Sequence, residues 1–134
     1  MSETPAKLLV VEDSATDAEV LSYYLRKSRR GFEVQLVRDG NAALETLRDE
    51  SPEQRPKLVL LDLNLPKLGG FEVLRAIKTD PRLSELPVVI LTASVLEEDL
   101  ERANHLQADA YLSKPFDAAG FQEVVETVER LASA

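Results

Sequence analysis

Five short apolar runs divide the chain, and segments of helical periodicity separate them. Residues 8–11, 58–61 and 88–91 are apolar without a break, the pattern of strands covered by helices on both faces. These predict three central strands. Phe32, Val34 and Leu36 instead alternate with Glu33, Gln35 and Val37, so one face is only partly buried and an edge strand is expected. The short run at residues 110–112 predicts the opposite edge.

Between the runs the period changes from two to between three and four. Ala18, Leu21 and Leu25 mark a first helix, and Ser14 and Asp17 stand at the spacing of a capping box at its start. After the Asp39-Gly40 turn, Ala43, Leu44 and Leu47 mark a second helix. Phe71, Leu74 and Ile77 mark a third, stopped by Pro81, and Leu96, Leu100, Ala103 and Leu106 mark a fourth. Phe121, Val124, Val125, Val128 and Leu131 mark a fifth, with Asp117 as its expected cap. Residues 49–55, with Ser51 and Pro52, read as a surface loop.

Strand and helix thus alternate five times, which predicts an α/β fold with a parallel sheet and right-handed crossovers. With the second and fifth strands at the edges, the preferred topology is flavodoxin-like, a doubly wound (βα)5 fold of strand order 2-1-3-4-5. Ligands of such sheets sit beyond the carboxyl ends of the strands. The residues expected there are Glu12 and Asp13 after the first strand, Asp62 after the third, Thr92 after the fourth, and Ser113 and Lys114 after the fifth.

Three carboxylates on one rim repel, since two unit charges about 4 Å apart cost on the order of 4 kcal/mol at an effective dielectric of about 20. A proton or a divalent cation can compensate. An all-oxygen site with few protein ligands suits Mg²⁺, with Mn²⁺ as a substitute. Metal, lysine and hydroxyl around a carboxylate are the groups that stabilise a transferring phosphoryl group. Asp62 is then the expected nucleophile, forming an acyl phosphate.

Together, the acidic pair Glu12-Asp13, LLDLNLPKLGG around Asp62, LTAS with Thr92 and YLSKPF with Lys114 are specific. Over roughly residues 7–131 the chain resembles the response-regulator receiver domain of two-component signalling, the chemotaxis-regulator-like family. The resemblance implies that Asp62 is the phosphoacceptor, that Asp13 binds Mg²⁺ directly and Glu12 through water, and that the backbone carbonyl of Asn64 is a further ligand. It makes Thr92 and Lys114 partners of the phosphoryl oxygens, and Tyr111 the aromatic that turns inward when Thr92 moves. Ala93 and Gly70 fall where the family keeps space, and Pro115 where it usually has a cis peptide bond that aims the lysine. Leu65 and Gly69 depart from the common Met and Asp at their positions, without loss of a catalytic group. DLNLPK also resembles regulators paired with phytochrome-type sensor kinases. The family partner is a sensor histidine kinase, and the face of the fourth helix, fifth strand and fifth helix is the expected site of output and of any homodimer. Asn64 and Ser94 occupy positions that tune hydrolysis in the family.

Bulk properties narrow the alternatives. The chain has 134 residues, 44% hydrophobic and 30% charged, enough for one domain with its own core. Lys and Arg number 16 against 24 Asp and Glu, a net charge of −8, so binding to a nucleic-acid backbone is not expected. Cysteine is absent, and no run approaches the roughly 18 apolar residues of a membrane span. Residues 1–6 are short and polar and lack the apolar stretch of a secretory signal, so a soluble cytoplasmic protein is expected. With no effector domain after Ala134, output is expected through protein contacts. An aspartate-nucleophile phosphatase of the haloacid dehalogenase type would place a second Asp where Asn64 stands. A docking module indifferent to phosphorylation would not need these groups, and clustered carboxylates would repel a flavin phosphate. His105 is expected on the solvent face of the fourth helix, and Phe116 packed under the fifth.

Overall fold

The computed structural model describes residues 5–132 and contains ten elements in strict alternation. They are β1 (Lys7–Val11), α1 (Ala15–Arg26), β2 (Glu33–Val37), α2 (Gly40–Asp49), β3 (Leu58–Leu61), α3 (Gly70–Thr79), β4 (Val88–Thr92), α4 (Glu97–His105), β5 (Ala110–Ser113) and α5 (Ala118–Ala132). All strand pairs are parallel and the order is β2-β1-β3-β4-β5. The doubly wound fold and both edge assignments are as expected. Of the N-terminal segment read as polar, residues 1–4 lie outside the described residues.

Successive strand residues face opposite sides of a sheet, and the apolar runs are unbroken because both sides are covered. Leu9, Val11, Val59, Leu61, Val88 and Ile90 join one core with residues of α2, α3 and α4. Their neighbours Leu8, Val10, Leu58, Leu60, Val89 and Leu91 join a second core with residues of α1 and α5. Cover thins at the edge: Phe32 is buried, but Leu36, near the end of β2, is 43% exposed. The fourth helix is also less embedded than its pattern implies. Only Ala103 in it is buried, whereas Leu96 and Leu100 face outward.

The caps set where helices leave the rim. Ser14 accepts the Asp17 N–H at 3.2 Å and Asp39 the Ala42 N–H at 2.8 Å. Asp117 accepts from Gly120 N–H at 2.8 Å, fulfilling its expected role at the start of α5. The capping box expected of Ser14 and Asp17 is only half formed. The Ser14 N–H, which a box would give to Asp17, donates instead to Glu12 Oε2 at 3.0 Å.

Candidate functional site

The ladder of the sheet continues one residue past three of its strands and so places the first rim residues. Asp62 N donates to Val11 O at 3.2 Å, Lys114 N to Thr92 O at 2.9 Å, and Glu12 N to Val37 O at 3.0 Å. Glu12 and Asp62 are 6% and 5% exposed and Thr92 is fully buried, so these polar groups sit where water does not offset their charges or dipoles.

Their compensation comes from Lys114. Its ammonium lies 2.8 Å from Glu12 Oε1, 3.1 Å from Asp17 Oδ2 and 3.2 Å from Asp62 Oδ2. Three N–H bonds meet three carboxylates. Burial alone would depress the Lys114 pKa, but hydrogen bonds to Glu12 and Asp17 and the charge of Asp62 outweigh it and hold the ammonium well above its ordinary range. For Glu12 the balance is the reverse: burial, helped by the Asp62 charge, pushes its carboxyl up despite the bonds from Lys114 and Ser14. The other Asp62 oxygen, Oδ1, accepts the Asn64 N–H at 3.2 Å.

Asp13 behaves differently from its neighbour. Alternation at the strand end turns Glu12 inward and leaves Asp13 exposed, with its carbonyl accepting from Arg38 at 3.1 Å. Of the expected trio Glu12, Asp13 and Asp62, the first and last are buried and Asp13 is exposed. Among the described residues, no three Asp, Glu, His or Cys side chains are gathered closely enough to hold a metal by themselves, and the acid that joins Glu12 and Asp62 at the ammonium is Asp17. The donors remaining at this rim are carboxylate and carbonyl oxygens. That chemistry fits a hard divalent ion that takes few protein ligands and keeps several waters.

Thr92 Oγ1 accepts the Ser94 N–H at 3.2 Å, and Ser94 Oγ donates to Asp99 Oδ2 at 2.5 Å. Tyr111 packs against the first core, and among the described residues its buried hydroxyl has no hydrogen-bond partner. Ala93 is exposed beside Thr92, and Gly70 is buried behind Asp62. His105 is exposed, as expected.

Two expectations at the β5–α5 turn fail. No cis peptide bond occurs among the described residues, so the bond before Pro115 is trans, the intrinsically favoured isomer, and Lys114 reaches Asp62 in that form. Phe116 is 94% exposed rather than packed under α5. Pro115 fills the space beside Gly120, where a Cβ would meet its ring at 2.8 Å, and the inner position is taken by Phe121, stacked on Tyr24 at 4.5 Å. Phe116 stands at the rim of a cleft of about 310 Å³ that Val20, Phe121 and Lys114 also line.

Acidic strand ends, a hydroxyl on β4 and a lysine after β5 on this sheet order define a receiver domain, and residues 8–126 match the response regulator receiver domain family, to which the chain belongs. It is accordingly a signalling domain of two-component systems rather than a classical enzyme. Among individual proteins, it is 38% identical over 131 residues to response regulator Rcp1 of Synechocystis sp., covering 96% of this chain and 89% of Rcp1. The crystal structure of the phosphorylated cyanobacterial phytochrome response regulator RcpA is similar with a TM-score of 0.88 at 39% identity, covering 97% of this chain and 96% of RcpA. The Mn²⁺-bound form of Rcp1 gives 0.83 at 37% identity, with 97% of each chain covered. Among the described residues no helix is long and apolar enough to cross a membrane.

Asp17 is the site residue that reasoning from residue types missed. The signal was present in its position, in the first turn of the helix that leaves the acidic rim, but the capping pattern accounted for it first.

Proposed function

We propose that the chain is a single receiver domain, with its core at about residues 7–131, that accepts a phosphoryl group from a sensor histidine kinase onto Asp62 and signals by a conformational switch. The observation that carries this reading is the 3.2 Å contact between Lys114 Nζ and a buried Asp62 carboxylate at the end of a central strand. An Asp62 oxygen attacks phosphorus, the P–N bond of the kinase phosphohistidine breaks, and its electron pair returns to the imidazole, which takes up a proton. Lys114 faces the transferred oxygens.

Asp13, Asp62 and the Asn64 carbonyl, with Glu12 through water, would hold Mg²⁺ or Mn²⁺. When bound, the ion supplies positive charge that neutralises the phosphoryl oxygens. Support comes from the oxygen donors at the rim and from the Mn²⁺-bound form of the similar Rcp1. Thr92 then moves toward the phosphoryl group and Tyr111 turns further inward, remodelling the face of α4, β5 and α5, where protein partners or a second copy dock. The similarity to RcpA supports a phytochrome-type kinase as the donor, and a cytoplasmic location is part of the same reading.

The test is incubation with Mg²⁺ and a small acyl phosphate, followed by intact-mass measurement. One phosphoryl group is expected on the wild-type chain and none on Asp62→Asn. Equal labelling of both would overturn the assignment.

A further inference from the structure

Of the three carboxylates around Lys114, Asp17 alone has no place in the chemistry proposed for the site. Glu12 and Asp62 belong to the metal and phosphoryl positions. Asp17 stands apart on α1, and its backbone is fixed there, since its N–H donates to Ser14 Oγ at 3.2 Å. Ordinarily an acid at this position would return to the N-cap N–H. That N–H is already held by Glu12 Oε2 at 3.0 Å, which leaves the Asp17 carboxylate free to lie 3.1 Å from Lys114 Nζ.

A lysine ammonium on four flexible carbons loses considerable rotamer freedom when it is held in one place. Lys114 is only 23% exposed in its side chain, whereas Asp17 is 52% exposed, so the pair spans the boundary between the site and solvent. When a phosphoryl group joins Asp62, Lys114 must exchange its Asp62 contact for a phosphoryl oxygen. Asp17 is the acceptor that need not change during that exchange. We infer that Asp17 is a positioning residue for Lys114, holding the ammonium on the α1 side of Asp62 before and after phosphoryl transfer. The inference rests on Asp62 as phosphoacceptor.

The competing explanation is a first-turn acid that stabilises the α1 dipole. Such a role would alter stability but not Lys114. The deciding experiment measures the labelling rate by an acyl phosphate with Mg²⁺ in the wild-type chain, Asp17→Asn, Asp17→Glu, Lys114→Ala and the Asp17→Asn/Lys114→Ala double variant, with Mn²⁺ affinity and thermal unfolding alongside. Asp17→Asn should slow labelling about 3- to 5-fold, the scale of a partly exposed ion pair, with Mn²⁺ affinity unchanged. Asp17→Glu should recover part of the rate, because it restores the charge. In the Lys114→Ala background, followed long enough to read its slower rate, Asp17→Asn should have no further effect. An undiminished effect in that background, or a wild-type rate for Asp17→Asn, overturns the inference while leaving the phosphoacceptor assignment standing. Absence of labelling in the wild-type chain removes both.

Discussion

Replacing Gly70 with Ala should damage the site through the backbone of its central residue. Gly70 opens α3, and its N–H donates to Leu63 O at 3.2 Å. A Cβ at this position would stand 2.4 Å from the Asp62 carbonyl oxygen, 2.6 Å from Leu63 Cα and 3.1 Å from the Asp62 carbonyl carbon. Ordinary contact begins at 3.4 Å, so the worst shortfall is 3.4 − 2.4 = 1.0 Å. All three atoms are backbone, and no rotamer change relieves them. Either α3 retreats or the Asp62 peptide moves. Overpacking of this kind costs about 1–3 kcal/mol, reduced by up to about 1 kcal/mol for the lower chain entropy of Ala. The net loss, at most about 3 kcal/mol, should lower Tm by up to about 9 °C in a chain of this size. A displacement near 1 Å beside Lys114 should slow phosphoryl labelling by about 10- to 100-fold. Gly69→Ala is the control, since its nearest neighbour would be the flexible Glu72 Oε1 at 3.5 Å, and it should stay within about 0.5 kcal/mol of wild type. Thermal unfolding and labelling kinetics measure both effects. A Gly70→Ala variant that unfolds and labels like wild type would refute the steric argument.

At the opposite end of the sheet, Lys78 Nζ donates to Leu86 O at 3.0 Å and Asp109 Oδ2 at 2.8 Å, and that same oxygen accepts the Val88 N–H at the start of β4. Lys78→Met strands these acceptors and should cost about 1–3 kcal/mol in denaturant unfolding; an unchanged midpoint would show that the cluster contributes nothing. On the surface, hydrogen bonds from Arg82 hold the Asp80 carboxyl below its ordinary 3.8. Because the folded-state value is the depressed one, this contribution is present above the unfolded value and is lost as pH falls through the folded one. An NMR titration should show Asp80 moving up toward its ordinary range in Arg82→Ala, the backbone N–H of residue 82, which donates to Asp80 Oδ1 at 2.9 Å, keeping part of the depression; an unmoved titration would dismiss the side-chain pairing. Chelation of divalent ions should stop labelling of Asp62, and Mg²⁺ or Mn²⁺ should restore it; labelling that persists under chelation would reject the metal assignment.

The sheet was legible because helices cover both faces of β1, β3 and β4, so burial appears as unbroken apolar runs. Once strand order was inferred, the rim followed, because Glu12, Asp62 and Thr92 directly follow those runs and Lys114 directly follows β5. Side-chain direction was harder to read. Asp13 and Glu12 are adjacent and chemically alike, yet strand alternation buries one and exposes the other. Phe116 is expected under α5, but Phe121 already fills that space against Tyr24. The exposure of Leu96 and Leu100 likewise depends on how α4 seats on the sheet, through Ala103, which periodicity does not encode. Asp17 was hidden by a local pattern, and its pairing with Lys114 spans 97 residues of sequence.

The most direct test of the account is to locate the modified residue. After labelling with an acyl phosphate and Mg²⁺, borohydride reduction converts an aspartyl phosphate to homoserine, which peptide mass spectrometry can place. Homoserine at position 62, and nowhere else, is the predicted result. Modification at Asp13, Glu12 or any other side chain, with Asp62 intact, would contradict it.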